Sequence, residues 1–344
     1  MKRITTIALA TASLTLLAAC GDGSPTETDS GAGDGANATE EAGEETGSDD
    51  EEAAAGDGEL REIKVGVIPI VDTAPLWLGA EKGFFEEEGL DLEIVETTGG
   101  AAAVPGVVSG SFDVAFGNTI STMVAVDQGL PLKYLTNGLA TTGEDPDVGA
   151  VLAAADSDIS GPADLAGKTV AVNNLNNIGD TTIRTVVEEA GGDPMTIDFV
   201  EIAFPDMPAA LERGQVDAAW VLEPFKSAAL NDGATMVTNN FADFDPELDI
   251  AGYFTTMETF ENDKELVDAF TAAMTASLDY AEENPDEVRD IVGTYTKIDE
   301  AGRAEMTLPR FRAEFDRDAM TKLGDAAVKY GTLDEAPDLD TLLP

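Results

Sequence analysis

The sequence predicts an α/β protein built from two doubly wound lobes that are joined by a two-strand hinge. Short apolar strands alternate with helical segments through residues 60–344, and the same order of elements recurs about 100 residues later. Two short apolar runs separate the copies. Because parallel strands need a crossover connection, this alternation predicts a mostly parallel sheet in each lobe, with helices on both faces.

The first lobe begins with a strand over residues 63–67, where apolar side chains alternate. Pro75 then opens a short helix that stops near Gly83. A strand over residues 90–95, a helix of small residues from Gly99 and a strand over residues 112–116 follow. Asn118 is in the position of an N-cap for the next helix, which Gly129 ends.

The second lobe repeats this order. Residues 169–172 form a strand, and a helix led by Gly179-Asp180 carries apolar residues at positions i, i+3, i+4 and i+7 before Gly191. A strand, a short helix and a strand follow over residues 197–202, 207–213 and 216–222.

The third strands of the two lobes match residue by residue. Residues 110–116 read GSFDVAF and residues 214–220 read GQVDAAW. Both segments place a glycine, an aspartate, an alanine and an aromatic residue at the same positions. The match predicts a duplicated unit, because it lies at the same place in the same element order.

Two apolar runs, at residues 148–153 and 250–255, predict paired crossing strands that form the hinge. The first lobe then comprises residues 60–149 and 251–344, and the second comprises residues 150–250. A helical face over residues 266–277 returns to the first lobe, and Asn284-Pro285 ends that helix. Two lobes on a hinge enclose a cleft at the carboxyl ends of the parallel strands, where ligands bind in such folds.

Composition excludes several chemistries. The chain has no histidine and one cysteine, so a Ser-His-Asp triad, a Cys-His nucleophile, a histidine-ligated metal and an intrachain disulfide are absent. The formal charge of −49 opposes nucleic acid, whose binding depends on lysine and arginine. Carboxylate chemistry, an oxygen-ligand metal site, a lysine Schiff base or no chemistry at all stays possible. Of these we expect no chemistry, with no metal, no cofactor and no nucleic-acid partner.

The first 20 residues have the pattern of a secretory signal. Lys2 and Arg3 precede 16 uncharged residues and Cys20, and Leu17-Ala18-Ala19-Cys20 resembles the bacterial lipobox, which implies lipidation of Cys20. A plain signal peptide or a short membrane helix is the alternative. Residues 21–59 contain 14 acidic residues and no large apolar residue, which predicts a disordered acidic tether. Cys20 would then anchor the protein to the extracytoplasmic face of the cell membrane.

Four segments carry a family resemblance: residues 72–85 (DTAPLWLGAEKGFF), 110–117, 164–172 and 220–225. In this order they resemble motifs of the nitrate, sulfonate and taurine family of ABC-transporter solute-binding proteins, a family that is also called SsuA/NMT1/THI5-like. The resemblance implies a type II periplasmic-binding-protein fold. It also implies a monomeric, non-enzymatic lipoprotein that delivers a small solute to a permease and its ATPase. Pyrimidine synthases of similar fold consume a histidine, which this chain lacks.

Candidate ligand-binding residues come from the strand-to-helix loops, where backbone N–H groups and helix N-termini face the cleft. The candidates are Asp72, Thr73, Trp77, Gly100, Asn118, Thr119, Asn173, Asn176, Asp180, Thr181, Glu223 and Phe225. The asparagines and Asp180 also suit turns and helix caps, and Trp77 also suits the core. Glu223 also suits a hydrogen bond between the lobes, and Trp220 suits the core better than the cleft.

No lysine or arginine lies in these loops, so a sulfonate or nitrate would depend on helix N-termini and amides alone. A neutral or amine-bearing heterocycle fits at least as well beside Asp72, Asp180 and Glu223. Two other functions stay open at this point. One is a lipid-anchored sensor or surface-binding protein without transport, and the other is an enzyme that uses paired carboxylates as acid and base.

Overall fold

Two β-sheets organise the part of the chain that the structure describes, residues 59–344 of a computed structural model. The predicted signal peptide with its lipidation at Cys20 lies outside this part, and so does the predicted tether up to residue 58. Both stay predictions.

The described residues form eleven strands separated by helices and loops. The strands are β1 (Arg61–Val67), β2 (Leu90–Glu96), β3 (Val114–Asn118), β4 (Leu132–Ala140), β5 (Gly149–Ala153), β6 (Thr169–Val172), β7 (Asp198–Glu201), β8 (Ala218–Leu222), β9 (Thr235–Thr238), β10 (Asp249–Thr256) and β11 (Arg310–Phe311).

Helices connect and cover these strands. The α-helices are α1 (Ala74–Lys82), α2 (Phe84–Glu87), α3 (Gly100–Val108), α4 (Thr119–Asp127), α5 (Ile178–Glu189), α6 (Met207–Glu212), α7 (Phe225–Asn231), α8 (Asn240–Phe244), α9 (Met257–Asn262), α10 (Lys264–Glu283), α11 (Pro285–Tyr295), α12 (Glu300–Ala304), α13 (Arg317–Lys329) and α14 (Leu339–Leu342). Single 3-10 turns occupy Val71–Thr73, Pro162–Leu165, Pro194–Thr196 and Phe204–Asp206.

The two sheets share one arrangement of strands. The first sheet has the order β11-β4-β10-β3-β1-β2 and the second has the order β7-β6-β8-β5-β9. In the first sheet β1 pairs in parallel with β2 and β3, and in the second β6 pairs in parallel with β7 and β8. The duplication predicted from the sequence is therefore present in the topology, with the third strand of each unit beside its first.

The sheets are mixed, whereas the sequence predicted mostly parallel ones. An antiparallel strand lies against the third strand of each unit, β10 against β3 and β5 against β8. These two strands carry the chain into each sheet from the other one, and they enter at the carboxyl ends of the parallel strands. They must therefore run in the opposite direction.

Two segments join the sheets, but the prediction that the two apolar runs pair with each other as the crossing strands is wrong. The two apolar runs form β5 and β10, which lie inside different sheets and do not pair with each other. The chain crosses between the sheets through residues 141–148 and 239–248. These two segments contact each other: the Thr141 N–H donates to the Leu248 carbonyl at 3.0 Å, and the Asp147 N–H donates to the Asn239 side chain at 3.3 Å.

The repeated seven-residue motif has a structural cause. The Asp113 carboxylate accepts a hydrogen bond from the Lys64 N–H at 2.8 Å, and the Asp217 carboxylate accepts one from the Thr169 N–H at 2.8 Å. Each aspartate thus fastens the third strand of its unit to the first. The glycine three residues earlier has a positive φ in both copies, 73° at position 110 and 64° at position 214, which strongly favours glycine.

The C-terminal helices complete the molecule. Helix α10 packs against α1, α2 and β4 on the first sheet and ends before Asn284-Pro285, as the sequence predicted. Pro285 then begins α11, which the sequence did not predict. Helix α13 contacts both α4 and α5, so it spans the boundary between the two sheets. Among residues 59–344, no helix combines the length and the apolar character that a membrane crossing requires.

Candidate functional site

A cavity lies between the two sheets, at the carboxyl ends of their parallel strands. Its lining comes from the ends of β1, β2 and β3 on one side and from β6, β7 and β8 on the other, with Phe241, Ile250 and Ala251 from the returning segment. The space is about 360 Å³, including the part that is open to solvent. The space that can hold the centre of a water-sized sphere is about 20 Å³, so the two sides of the cavity lie close together in this structure.

The cavity is lined mainly by apolar and aromatic residues. The rings of Phe204 and Phe241 each approach the Trp220 ring edge-on, with centroids 5.4 Å away. On the opposite sheet, the Phe116 ring lies 5.1 Å from that of Tyr253. Aromatic side chains with few polar groups between them favour a flat organic ligand over a strongly hydrated ion.

Three helices begin at the cavity, but two of them carry their own caps. The Asn118 side chain accepts a hydrogen bond from the Ser121 N–H at 2.9 Å at the start of α4. At the start of α5, the Asn177 side chain accepts from the Ile178 N–H at 2.9 Å. The first residue before α3 is a glycine without a side-chain cap. The helix N–H groups open to a ligand are therefore concentrated at α3, because the other caps occupy donors that an anion would need.

Asp72 is the single ionisable side chain among the described residues that line the cavity. It lies in the 3-10 turn after β1 and is 2% exposed. Burial raises the pKa of its carboxyl to about 7, and the nearby Asp147 carboxylate acts in the same direction. The hydroxyls of Tyr253 and Tyr295 are the other titratable groups close to it. No lysine or arginine in the described lining offsets its charge.

Two buried polar atoms in the lining have no hydrogen-bond partner within residues 59–344. They are Oδ1 of Asp72 and Nε1 of Trp220. Asp72 belongs to the first sheet and Trp220, which is 2% exposed, to the second. A buried polar atom without a partner is unfavourable, so both atoms are suited to a ligand that supplies the missing bonds.

Four of the residues predicted to bind ligand lie in the cavity lining. They are Asp72, Gly100, Asn118 and Asn173. Gly100 is required there because α3 starts against β3: a Cβ at position 100 would lie 2.7 Å from the Gly117 Cα. The Asn118 side chain is both a helix cap and part of the lining, so both roles weighed for it apply.

The predicted threonines lie outside the lining, where they hold backbone in place. Thr73 donates to the carbonyls of Ile68 and Ile70 at 3.0 and 3.1 Å, and Thr119 lies within 3.4 Å of two carbonyls of β10. The Thr181 hydroxyl lies 3.4 Å from that of Thr332, beyond the end of α13. These hydroxyls are satisfied by the protein itself.

Asp180 and Asn176 also lie outside the lining. Asp180 is the third residue of α5 and accepts hydrogen bonds from the N–H groups of Asn176, at 2.7 Å, and Asn177, at 2.5 Å. It thus forms a capping box with Asn177, which is the N-cap. Burial raises its pKa to about 6. Asn176 is exposed and has a φ of 51°, as in a turn.

Glu223 lies outside the lining and joins the second sheet to the rest of the molecule. Its carboxylate is 0% exposed and forms an ion pair with Lys226 at 3.0 Å. It accepts hydrogen bonds from the N–H groups of Ser227 and Thr307, both at 3.1 Å. Its carbonyl accepts one from the Val71 N–H, directly before Asp72. These contacts match the alternative weighed for Glu223, a bond between the lobes.

The two predicted aromatic contacts lie elsewhere as well. Trp77 stacks on Tyr295 of α11, with ring centroids 4.8 Å apart and an interplanar angle of 15°. Phe225 begins α7 and packs, partly buried, against the core. Both rings serve packing between elements of the protein.

Sequence reasoning missed most of the apolar lining. The sequence places Trp220 in the core, and it is there at 2% exposed, but it also lines the cavity. Phe204, Phe241 and Leu222 are not predicted from the sequence and line the cavity too. One signal was available: Trp220 ends the repeated motif at the position that Phe116 holds in the first copy, and each aromatic residue is the middle residue of its strand.

Among residues 59–344, no group of three or more acidic or cysteine side chains has an arrangement that holds a metal ion. The site's chemistry is therefore that of its aromatic walls, its amides and one carboxyl group. These groups can bind and orient an organic molecule.

Comparisons with known proteins agree with this geometry. The profile of the family described as NMT1/THI5 like matches residues 71–288. The formylaminopyrimidine-binding protein of Halalkalibacterium halodurans is 27% identical over 229 residues, which cover 66% of this chain and 67% of that protein. Among solved structures, the alkanesulfonate-binding protein SsuA of Xanthomonas axonopodis pv. citri, bound to MOPS, matches with a TM-score of 0.70 and 17% identity over 83% of this chain and 99% of its own.

The nitrate-binding protein NrtA of Synechocystis PCC 6803 matches with a TM-score of 0.68 and 17% identity, covering 83% of this chain and 86% of its own. These structures share the fold of periplasmic binding proteins. The profile match extends over more than half of the chain and includes the loop of Asp72, β3 and β8. The chain belongs to the NMT1/THI5-like family, a family of ABC-type solute-binding proteins with the type II periplasmic-binding-protein fold.

Proposed function

We propose that this protein is the extracytoplasmic solute-binding component of an ABC importer and that it captures a small, flat, neutral or amine-bearing heterocycle. The observation that carries the proposal is the cavity between the sheets, whose described lining combines aromatic walls with one buried carboxyl group and no cationic side chain.

The charge of the lining favours this ligand class over an oxyanion. An anion in the cavity would lie near Asp72 without a lysine or arginine to compensate, and two of the three nearby helices already cap their own N–H groups. The relative from Halalkalibacterium halodurans is named for binding a formylaminopyrimidine, a ligand of the proposed class. The relatives named for alkanesulfonate and nitrate show that the fold itself does not select one class.

Capture follows from the position of the cavity. A ligand that contacts residues of both sheets stabilises the closed arrangement, because the contacts to either side are made together only when the sheets are close. The closed form would then dock on a permease, which works with its ATPase. Lipidation at Cys20 and the acidic segment that follows would keep a monomer near the membrane and raise its effective concentration at the permease.

A carboxylate enzyme is less well supported. Paired acid–base chemistry needs two carboxyl groups at the reacting bond. Of the acidic candidates, Asp180 is occupied in the capping box of α5 and Glu223 in its ion pair with Lys226. Asp72 is left as the one carboxyl group in the described lining.

The test is to purify the chain, denature it and identify any released small molecule by mass spectrometry. A thermal-shift panel of sulfonates, nitrate, aromatic acids, pyrimidines and flavins follows, because a ligand that binds the native state raises the melting temperature. A heterocycle that shifts the melting temperature and whose uptake into cells requires this gene supports import. Binding without any effect on uptake would favour the sensor, and the absence of binding to any member of the panel would contradict the proposal.

A further inference from the structure

We propose that Asp72 and Trp220 form a donor–acceptor pair that selects the ligand: the ligand donates a hydrogen bond to Oδ1 of Asp72 and accepts one from Nε1 of Trp220. This inference rests on the proposed capture function and adds to it the two atoms that determine specificity. It requires a ligand with a donor and an acceptor on one small framework.

The first argument is the state of these two atoms. Each is buried, belongs to a residue that lines the cavity and has no partner within the described residues. A carboxylate oxygen is an acceptor, and an indole N–H is a donor only. Oδ1 of Asp72 therefore needs a hydrogen-bond donor and Nε1 of Trp220 needs an acceptor. One ligand can carry both groups at different edges.

The second argument is the contrast with similar atoms elsewhere. Nε1 of Trp77 and the hydroxyl of Tyr253 are also buried without partners in the described part of the chain, but neither residue lines the cavity. Asp180 is a buried aspartate outside the cavity whose carboxyl accepts two backbone N–H groups. Residues 77 and 180 thus give matched comparisons for residues 220 and 72.

The third argument is that the pair spans the two sheets. Asp72 follows β1 of the first sheet and Trp220 lies within β8 of the second. A ligand that satisfies both atoms links the sheets directly, whereas a ligand that satisfies one leaves the other atom buried and unpaired. Specificity is then coupled to closure, because the closed arrangement gains its full stabilisation only from a ligand with both groups.

A simple oxyanion meets one half of this requirement. It can accept from Trp220, but above pH 7, where the Asp72 carboxyl is mostly ionised, it brings a second negative charge and offers that carboxylate no hydrogen. The pair therefore acts against such ligands as well as in favour of matching ones.

The experiment measures binding of four probes to the purified full-length chain by calorimetry at pH 8, where the Asp72 carboxyl, whose pKa burial raises to about 7, is mostly ionised. The probe 4-aminopyrimidine carries an amino donor and ring-nitrogen acceptors, pyrimidine carries the acceptors alone, aniline carries the amino donor without the ring acceptors, and methanesulfonate is an anion with acceptors only. We expect 4-aminopyrimidine to bind at least about 10-fold more tightly than each of the others, because each lost hydrogen bond leaves a buried group unpaired.

Variants assign the effect to the two atoms. Asp72→Asn keeps the shape of the side chain and is expected to weaken binding of 4-aminopyrimidine by about 10- to 100-fold, as for a bond to a charged group. Trp220→Phe is expected to weaken it by about 2- to 10-fold, as for a neutral bond. The matched variants Asp180→Asn and Trp77→Phe change the same residue types outside the cavity, and both should keep the wild-type affinity. Melting curves of all four variants verify that each one is folded.

The outcomes separate this inference from the proposed function. Tighter binding of 4-aminopyrimidine that is lost in the cavity variants and retained in the matched ones supports the pair. Equal affinity for 4-aminopyrimidine and pyrimidine, tight binding of methanesulfonate, or affinity that does not respond to either cavity variant overturns the pair while leaving solute capture in place. If neither these probes nor any member of the wider panel binds, the capture function itself fails.

Discussion

Replacing Asp72 with asparagine should stabilise the protein increasingly as the pH rises from 5 to 8. Asp72 is fully buried among apolar and aromatic side chains, and burial raises the pKa of its carboxyl from an ordinary value of 3.8 to about 7. Between these two values the folded protein holds a proton that the unfolded chain has lost. The free energy of unfolding therefore falls as the pH rises through this interval and levels off above about pH 7.

The magnitude follows from the pKa. Each pKa unit corresponds to about 1.4 kcal/mol, so the rise from 3.8 to about 7 amounts to about 4 kcal/mol in total. About 3 kcal/mol of it falls between pH 5 and pH 8. Asparagine does not titrate, so the variant lacks this loss. The difference in unfolding free energy between variant and wild type should grow by about 3 kcal/mol over that interval.

The assay is urea denaturation of both proteins at several pH values, with the free energy of unfolding obtained by linear extrapolation. The large negative charge and the buried carboxyl groups of Asp180 and Asp249 affect both proteins alike, so they cancel in the difference. Asp180→Asn is the matched control, and its difference curve should level off about one pH unit lower, because the pKa of Asp180 is about 6. Parallel curves for wild type and Asp72→Asn would refute the reasoning.

Three other changes test the structure. Glu223→Ala leaves Lys226 buried without its partner and should destabilise the protein by about 3–5 kcal/mol. Removing the exposed carboxylate of Glu247 should cost less than about 1 kcal/mol. Equal losses of unfolding free energy in urea denaturation would contradict the buried pair. Gly179→Ala places a Cβ 2.5 Å from the Trp220 ring. The ring must move, so the variant should bind ligand more weakly. An unchanged affinity in calorimetry would show that the ring does not contact the ligand. In Trp77→Phe, the remaining tryptophan, Trp220, lies in the cavity. A ligand should therefore change the tryptophan fluorescence as strongly as in the wild type. If a ligand that binds by calorimetry leaves the fluorescence unchanged, Trp220 does not lie beside the ligand.

Much of the fold could be predicted because hydrophobic periodicity and turn residues indicate where strands and helices begin and end. The alternation at residues 63–67, the cap at Asn118 and the matching glycine and aspartate of the two third strands are all local signals, and each corresponds to an observed strand, cap or hydrogen bond. The duplicated topology follows from their order.

The hinge could not be predicted from the same signals. An apolar run flanked by aspartate and glycine fits a crossing strand and an inner strand of a sheet equally well. Both runs are inner strands, β5 and β10, because each is covered on both sides by neighbouring strands. The first crossing segment is polar and irregular, and the second contains the short helix α8. Asp147 and Asn239 hold the segments together through side-chain hydrogen bonds that leave no periodic pattern.

The polar loop residues of the cavity lining could be predicted from the sequence, whereas its aromatic residues could not. Loops at strand ends are marked by polar residues, so Asp72, Asn118 and Asn173 stood out. An aromatic residue on a strand has the same sequence pattern whether it faces the core or a cavity, so Trp220 did not. Thr73 and Asp180 bond to backbone groups within a few residues. Thr119 bonds to carbonyls of β10, and Thr181 lies beside Thr332, both far away in the sequence, so no local pattern indicates these contacts.

The hydrogen bond from the Val71 N–H to the Glu223 carbonyl ties the residue directly before Asp72 to the opposite sheet. A movement that separates the sheets at this point breaks the hydrogen bond. The same movement increases the distance between the Asp72 carboxyl group and Trp220. If Asp72 binds the ligand as we propose, opening the two sheets and releasing that ligand would happen at the same place. A force that pulls the sheets apart would then act within two residues of the ligand.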